Sequence, residues 1–133
     1  MKRVMFVCHG NICRSPMAEF IFKKMLSEKG ISEKFTVASS ATSTEEIWGD
    51  RGNPVYPPAK RELLKHGISC EGKTAVQLKK SDYDKYDLFV AMDSMNVRHI
   101  MRIFGKDEVY LLENINRTQR DILEVTNRRR DNI

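Results

Sequence analysis

Cys8 and Arg14 enclose five residues and are followed directly by Ser15. This C-x5-R-S segment assembles three chemical parts. A cysteine is nucleophilic as the thiolate, although a free thiol is mostly protonated near neutrality. Amides at a helix N-terminus and a nearby guanidinium both favour the charged sulfur. Arg14 would lie across a turn from Cys8, where its planar fork could grip two oxygens of a phosphoryl group. Ser15 can donate to the sulfur and stabilise it as a leaving group. Gly10 permits a backbone with inward-pointing amides, and Asn11 can hold a left-handed turn. The set would hold a phosphate and attack it. C-x5-R alone is a loose pattern, and the plain alternative is a buried strand-end cysteine beside a surface arginine.

The surrounding elements must position that loop. Residues 2–7 form an apolar run after two basic residues and predict a central strand covered on both faces. Pro16 is expected at the first position of a helix running to about residue 29, with Met17, Phe20, Ile21, Met25 and Leu26 on its packed face. A second strand is expected over 35–40, then a polar loop over 41–58, long enough to suggest a working role. A helix over 59–66 stops at Gly67. Ser81 is a candidate cap for a short helix, and 87–91 read as a third strand. Asp93 or Ser94 would cap a helix reaching Phe104, with Gly105 ending it. Residues 109–112 predict a fourth strand. Alternating strands and helices imply an α/β fold: a three-layer sandwich with a central four-stranded parallel sheet and the phosphate-binding loop after strand 1. Ligands in such sheets bind beyond the carboxyl ends of the strands. Cys8, Ser39, Asp93 and Glu113 lie at or just past such ends.

The 133 residues suit one domain over 1–133. A net charge of +5 favours anionic partners, but part of it sits in Arg128, Arg129 and Arg130, and no nucleic-acid motif accompanies it. Three cysteines make no paired disulfide framework, and no signal peptide or membrane-length apolar run is visible. A reducing, cytoplasmic setting is expected, without nucleic acid or membrane.

The segment from Cys8 through His9, Gly10, Asn11, Ile12, Cys13, Arg14, Ser15 and Pro16 to Glu19 resembles the signature of low-molecular-weight protein tyrosine phosphatases. The similarity extends from residue 2 to about 122, through Val37-Ala38-Ser39, Asn53-Pro54, His66-Gly67-Ile68 and Met92-Asp93. The resemblance implies a cysteinyl-phosphate mechanism with no cofactor and no metal. Cys8 would attack phosphotyrosine, and Arg14 and the loop residues His9 to Cys13 would bind the phosphoryl oxygens. An acid would protonate the leaving phenol. Asn11 would hold the loop through Ser39, which could equally be an ordinary strand-end hydroxyl. Trp48, with Ile47, would wall the cleft, or anchor its loop in the core. Cys13 would either close a reversible disulfide with Cys8 or be structural; Cys70 reads as structural or incidental.

The C-terminus departs from the family pattern. No Asp-Pro occurs, the family's terminal helix has no counterpart, and 121–133 diverge. Aligning Asp121-Ile122 with the family's Asp-Ile puts Glu124 at the general-acid position, with Asp121 a weaker candidate; Glu124 could instead be a solvated charge. Residues 73–77 (KTAVQ) lack the family's arginine and receive no role. The expected partners are phosphotyrosine proteins or small aryl phosphates, with inorganic phosphate or other oxyanions in the loop, in a monomer or weak homodimer. The alternatives are a phosphate-binding pseudo-phosphatase and an arsenate reductase, whose late cysteine pair is lacking.

Overall fold

The computed structural model describes residues 1–105. Three parallel strands, β1 (Lys2–Cys8), β2 (Phe35–Ala41) and β5 (Leu88–Ala91), lie in the order β2-β1-β5. Val4 of β1 faces Val37 of β2 and Leu88 of β5 in register. Between β2 and β5 the chain forms a two-stranded ribbon, β3 (Ile47–Trp48) with β4 (Arg51–Gly52), and helix α2 (Pro57–Lys65). Helices α1 (Arg14–Glu28) and α3 (Ser94–Phe104) cover the sheet. The expected fourth strand at 109–112, Glu113, Asp121, Glu124 and the arginines at 128–130 lie outside the described residues.

β1 is apolar on both faces because both are covered. Val4, Phe6 and Cys8 pack with Ala18 and Leu26 of α1, while Met5 and Val7 pack with Val97, Ile100 and Phe104 of α3. The alternation follows from the two-residue period of a strand. Phe89 meets Phe104 edge to face at 4.8 Å between centroids, an arrangement favoured by the ring quadrupoles. A third cluster joins Met17 and Ile21 of α1 to Ala59 and Leu63 of α2 and to Cys70. Arg3 and Asp87 tie the entry of β1 to the entry of β5 through four hydrogen bonds.

Several expected boundaries move. α1 begins at Arg14, with Cys13 at its cap, so Pro16 is the third helical residue and not the first. The shift is tolerated because the first four helical N–H groups have no intrahelical partner. β2 continues to Ala41 and takes Ser39 inside the strand. The 41–58 loop contains the β3–β4 ribbon, where a Cβ on Gly52 would lie 1.9 Å from the Ala75 carbonyl oxygen. Only a glycine lets these two backbones approach so closely. α2 starts at Pro57, where two prolines occupy positions that need no N–H. Residues 80–84 form a 3-10 turn with Lys79, not Ser81, at its cap; the Lys79 N–H donates to Asp82. Asp93 caps α3, and Gly105 ends it with φ +65°.

Candidate active site

Cys8 is the last residue of β1, and the loop from His9 to Cys13 leads into the first turn of α1. The carbonyls of Cys8, His9 and Ile12 accept the N–H groups of Thr42, Ser43 and Tyr56 at 3.0, 3.0 and 2.7 Å. All peptides here are trans. In a planar trans unit the N–H points opposite to the preceding carbonyl. The N–H groups of His9, Gly10 and Cys13 therefore turn away from the bracketing 42–56 segment. Successive amides turned to one side are what an oxyanion requires. The positive φ in the loop falls on Asn11 (+58°) and not on Gly10. A Cβ on Gly10 would meet Glu46 at 3.2 Å, so the glycine serves close packing of the ribbon's root.

A chain of hydrogen bonds runs behind the loop. Asn11, 1% exposed, accepts the Val76 N–H on Oδ1 at 3.0 Å, which fixes the orientation of its amide. Asn11 Nδ2 then donates to Ser39 Oγ at 2.9 Å and to Ser15 Oγ at 2.7 Å. Ser39 Oγ sends its own hydrogen to the carboxylate of Glu19 at 2.5 Å. Ser15 Oγ also lies 2.9 Å from Cys8 Sγ, within hydrogen-bond distance. The Asn11 N–H donates to the same sulfur at 3.2 Å.

Arg14 Nη1 lies 2.9 Å from Asp93 Oδ2, while Asp93 Oδ1 accepts the Asn96 N–H at 2.8 Å. One carboxylate thus caps α3 and anchors the guanidinium. Burial pushes the Asp93 carboxyl up, but the hydrogen bonds from Arg14 and the Asn96 amide, with the charge of Arg14, prevail and hold it below the ordinary carboxylate range. His9 Nε2 lies 3.1 Å from a carboxylate oxygen of Glu45, and the His9 ring lies 6.4 Å from that of His99. Trp48 is 65% exposed on the ribbon, so a core-anchoring role for it is excluded. Burial pushes the Cys70 thiol up.

Four residues of this site have partners that the sequence does not show. Asp93 is expected as a cap at a strand end and Glu19 as part of the signature, but neither is expected to pair with Arg14 or Ser39. Residues 73–77 do have a structural part: Val76 supplies an N–H to Asn11, and Lys73 donates to the Ser39 carbonyl at 3.0 Å. Nothing in the local sequence marks Lys73, because lysine in a polar run reads as solvated. Glu124 and Asp121 lie outside the described residues. Among the described residues, no helix is long and apolar enough to cross a membrane.

A family model described as low molecular weight phosphotyrosine protein phosphatase matches residues 3–128. The chain belongs to this family. The Gallus gallus low molecular weight phosphotyrosine protein phosphatase is 40% identical over 102 residues, which are 77% of this chain and 61% of that protein. The chain thus spans about three fifths of the length of the first curated relatives it matches. The crystal structure of YfkJ from Bacillus subtilis superposes with a TM-score of 0.73 and 37% identity, covering 84% of this chain and 67% of that one. SP-PTP, a low molecular weight protein tyrosine phosphatase from Streptococcus pyogenes, gives a TM-score of 0.72 and 28% identity, covering 96% and 89%. Membership in the phosphatase family favours neither the binding-only nor the arsenate-reductase alternative.

Proposed function

We propose that this chain is a phosphotyrosine protein phosphatase acting through a cysteinyl-phosphate. The observation that carries the proposal is the Asn11 N–H donating to Cys8 Sγ at 3.2 Å with the Ser15 hydroxyl 2.9 Å from the same sulfur. A sulfur so held is both a nucleophile and a good leaving group. In the first step Cys8 attacks phosphorus, the P–O bond to the phenol breaks, and an acid protonates the departing oxygen. In the second, water attacks phosphorus, the P–S bond breaks, and the thiolate and inorganic phosphate are released. Arg14 and the loop from His9 to Cys13 bind the three phosphoryl oxygens. Asn11 and Ser39 keep the loop in shape, and Trp48 offers an apolar wall to the substrate ring. Glu124, or less favourably Asp121, supplies the proton.

The substrates are phosphotyrosine proteins or small aryl phosphates, with inorganic phosphate as product and competitor. Without a well-placed acid the first step slows by about 10²–10⁴-fold. A p-nitrophenolate leaving group needs the proton less, so its turnover suffers less than that of phosphotyrosine. The test is turnover of both substrates by wild type, Cys8→Ser, Asp121→Asn and Glu124→Gln. Turnover that depends on Cys8 is expected. Its absence with both substrates overturns the enzyme reading, and an unaltered Glu124→Gln on phosphotyrosine overturns that acid assignment.

A further inference from the structure

The β3–β4 ribbon that carries Trp48 is tied down at both of its arms. The outgoing arm is held by backbone: the Asn53 carbonyl accepts the Ala75 N–H at 2.9 Å, and Gly52 lies against the Ala75 backbone. The incoming arm meets the phosphoryl loop instead. The His9 carbonyl accepts both the N–H and the hydroxyl of Ser43, each at 3.0 Å. Two residues further on, a carboxylate oxygen of Glu45 lies 3.1 Å from His9 Nε2. Glu46 then joins the arms, its carbonyl accepting the Asn53 N–H at 2.9 Å and its carboxylate the Asn53 Nδ2 at 2.6 Å. A ribbon of two-residue strands has little stability of its own, so such ties decide where Trp48 stands.

We infer that Glu45 is a positioning residue for substrate recognition: through its side-chain contact with His9 it latches the ribbon to the phosphoryl loop and holds Trp48 against the ring of a bound aryl phosphate. The inference rests on the reading above in taking Trp48 as the wall of the cleft. The contact is a hydrogen bond with the imidazole neutral and an ion pair with it charged; in both, Nε2 donates and the carboxylate accepts. It joins the residue after Cys8 to a residue three positions before Trp48. The phosphoryl end and the ring end of a substrate are thereby held in one frame.

The charge of Glu45 acting alone predicts the opposite effect. A carboxylate near the loop repels a phosphate dianion, so its removal would tighten the binding of every phosphoryl ligand. The latch predicts weaker binding of the ring with no weaker binding of the phosphoryl group. The side chains of His9 and Glu45 are 47% and 70% exposed, so replacing Glu45 leaves the core intact. An exposed pair of this kind is worth roughly two- to fivefold in an equilibrium.

Two measurements test this. The first is time-resolved fluorescence anisotropy of Trp48, the chain's only tryptophan. Glu45→Ala is expected to enlarge the fast local depolarisation, while Glu45→Gln, which still accepts from Nε2, stays nearer to wild type. In a His9→Ala background, Glu45→Ala is expected to add nothing further. The second is kinetic. Glu45→Ala is expected to raise KM for a phosphotyrosine peptide roughly two- to fivefold at unchanged kcat, while inorganic phosphate inhibits at least as strongly as in wild type. If the depolarisation or the KM of Glu45→Ala equals that of wild type, or if KM falls together with the phosphate inhibition constant, the inference falls. Additive effects of the His9 and Glu45 substitutions on the depolarisation also overturn it, because Glu45 would then act by a route other than His9. Anisotropy requires no turnover, so a chain without phosphatase activity would refute the enzyme reading while leaving the latch to the fluorescence test.

Discussion

Asn11 concentrates three demands in one side chain, and its removal should register in stability before activity is measured. Asn11→Ala deletes the hydrogen bonds to Ser15, Ser39 and the Val76 N–H, all within a site where Asn11 is 1% exposed. The two serines retain other partners, Cys8 and Glu19, so the principal orphan is the Val76 amide. Losing one partner of a buried polar group costs about 1–3 kcal/mol, and the two weakened serine contacts add about 0.5–1.5 kcal/mol each. The φ of +58° adds roughly 1–2 kcal/mol for a residue with a Cβ and no local side-chain compensation. The sum is about 3–8 kcal/mol, against about 5–15 kcal/mol for a whole domain. Urea unfolding followed by circular dichroism should show a lower midpoint at unchanged slope. Asn11→Gly loses the same hydrogen bonds without the backbone strain, and should recover roughly 1 kcal/mol of the loss. If Asn11→Ala costs less than about 1 kcal/mol, the chain of buried bonds is not what holds the loop. If alanine and glycine are equally destabilising, the strain argument fails.

Asp93→Asn should separate the two tasks of that carboxylate: asparagine caps α3 about as well, so the melting temperature should hardly move, while kcat/KM falls about tenfold as Arg14 loses its charged anchor. A large fall in melting temperature would show that the ion pair matters mainly to folding. Gly52→Ala drives a Cβ into the Ala75 carbonyl and must displace the ribbon, which the fluorescence of Trp48, the chain's only tryptophan, should report; an unaltered emission spectrum would contradict the close approach. Hydrogen bonds from the Arg3 side chain and backbone, together with the positive charges of Arg3 and Lys2, hold the Asp87 carboxyl below its ordinary value. Its contribution is present above that ordinary value and is lost as the pH falls through the lowered one. Asp87→Asn should therefore flatten the acid limb of a melting-temperature profile, and added salt should do so in part because the pair is exposed. A mutant profile that keeps the full acid limb assigns it elsewhere.

The loop was legible because its working parts are contiguous. The proposed nucleophile, turn residues and clamp and the helix start occupy eight successive residues, and an apolar run, a C-x5-R spacing and a helix start are local signals. The alternation of β1 between two packed faces follows from the same local regularity. Element ends were less legible. Pro16 fits any of the first helical positions, and Ser39 looks alike whether it lies inside a strand or just beyond it. The ribbon was read as loop because two-residue strands carry no period to detect.

By itself the sequence determined the family and the α/β order of elements, and it marked the residues proposed to hold and attack a phosphoryl group. Only the tertiary structure decided what stands behind them. Asn11 meets Ser39 across 28 residues of chain and Val76 across 65, and Arg14 meets Asp93 across 79. Such pairings depend on which strands become neighbours and in what register, and single residue types do not encode them. Lys73 is the sharpest case. Its segment has no role assigned from the sequence, and only the assembled layers bring it beside Glu19 and the Ser39 carbonyl with its side chain 12% exposed, because burial is a property of the packing and not of the side chain.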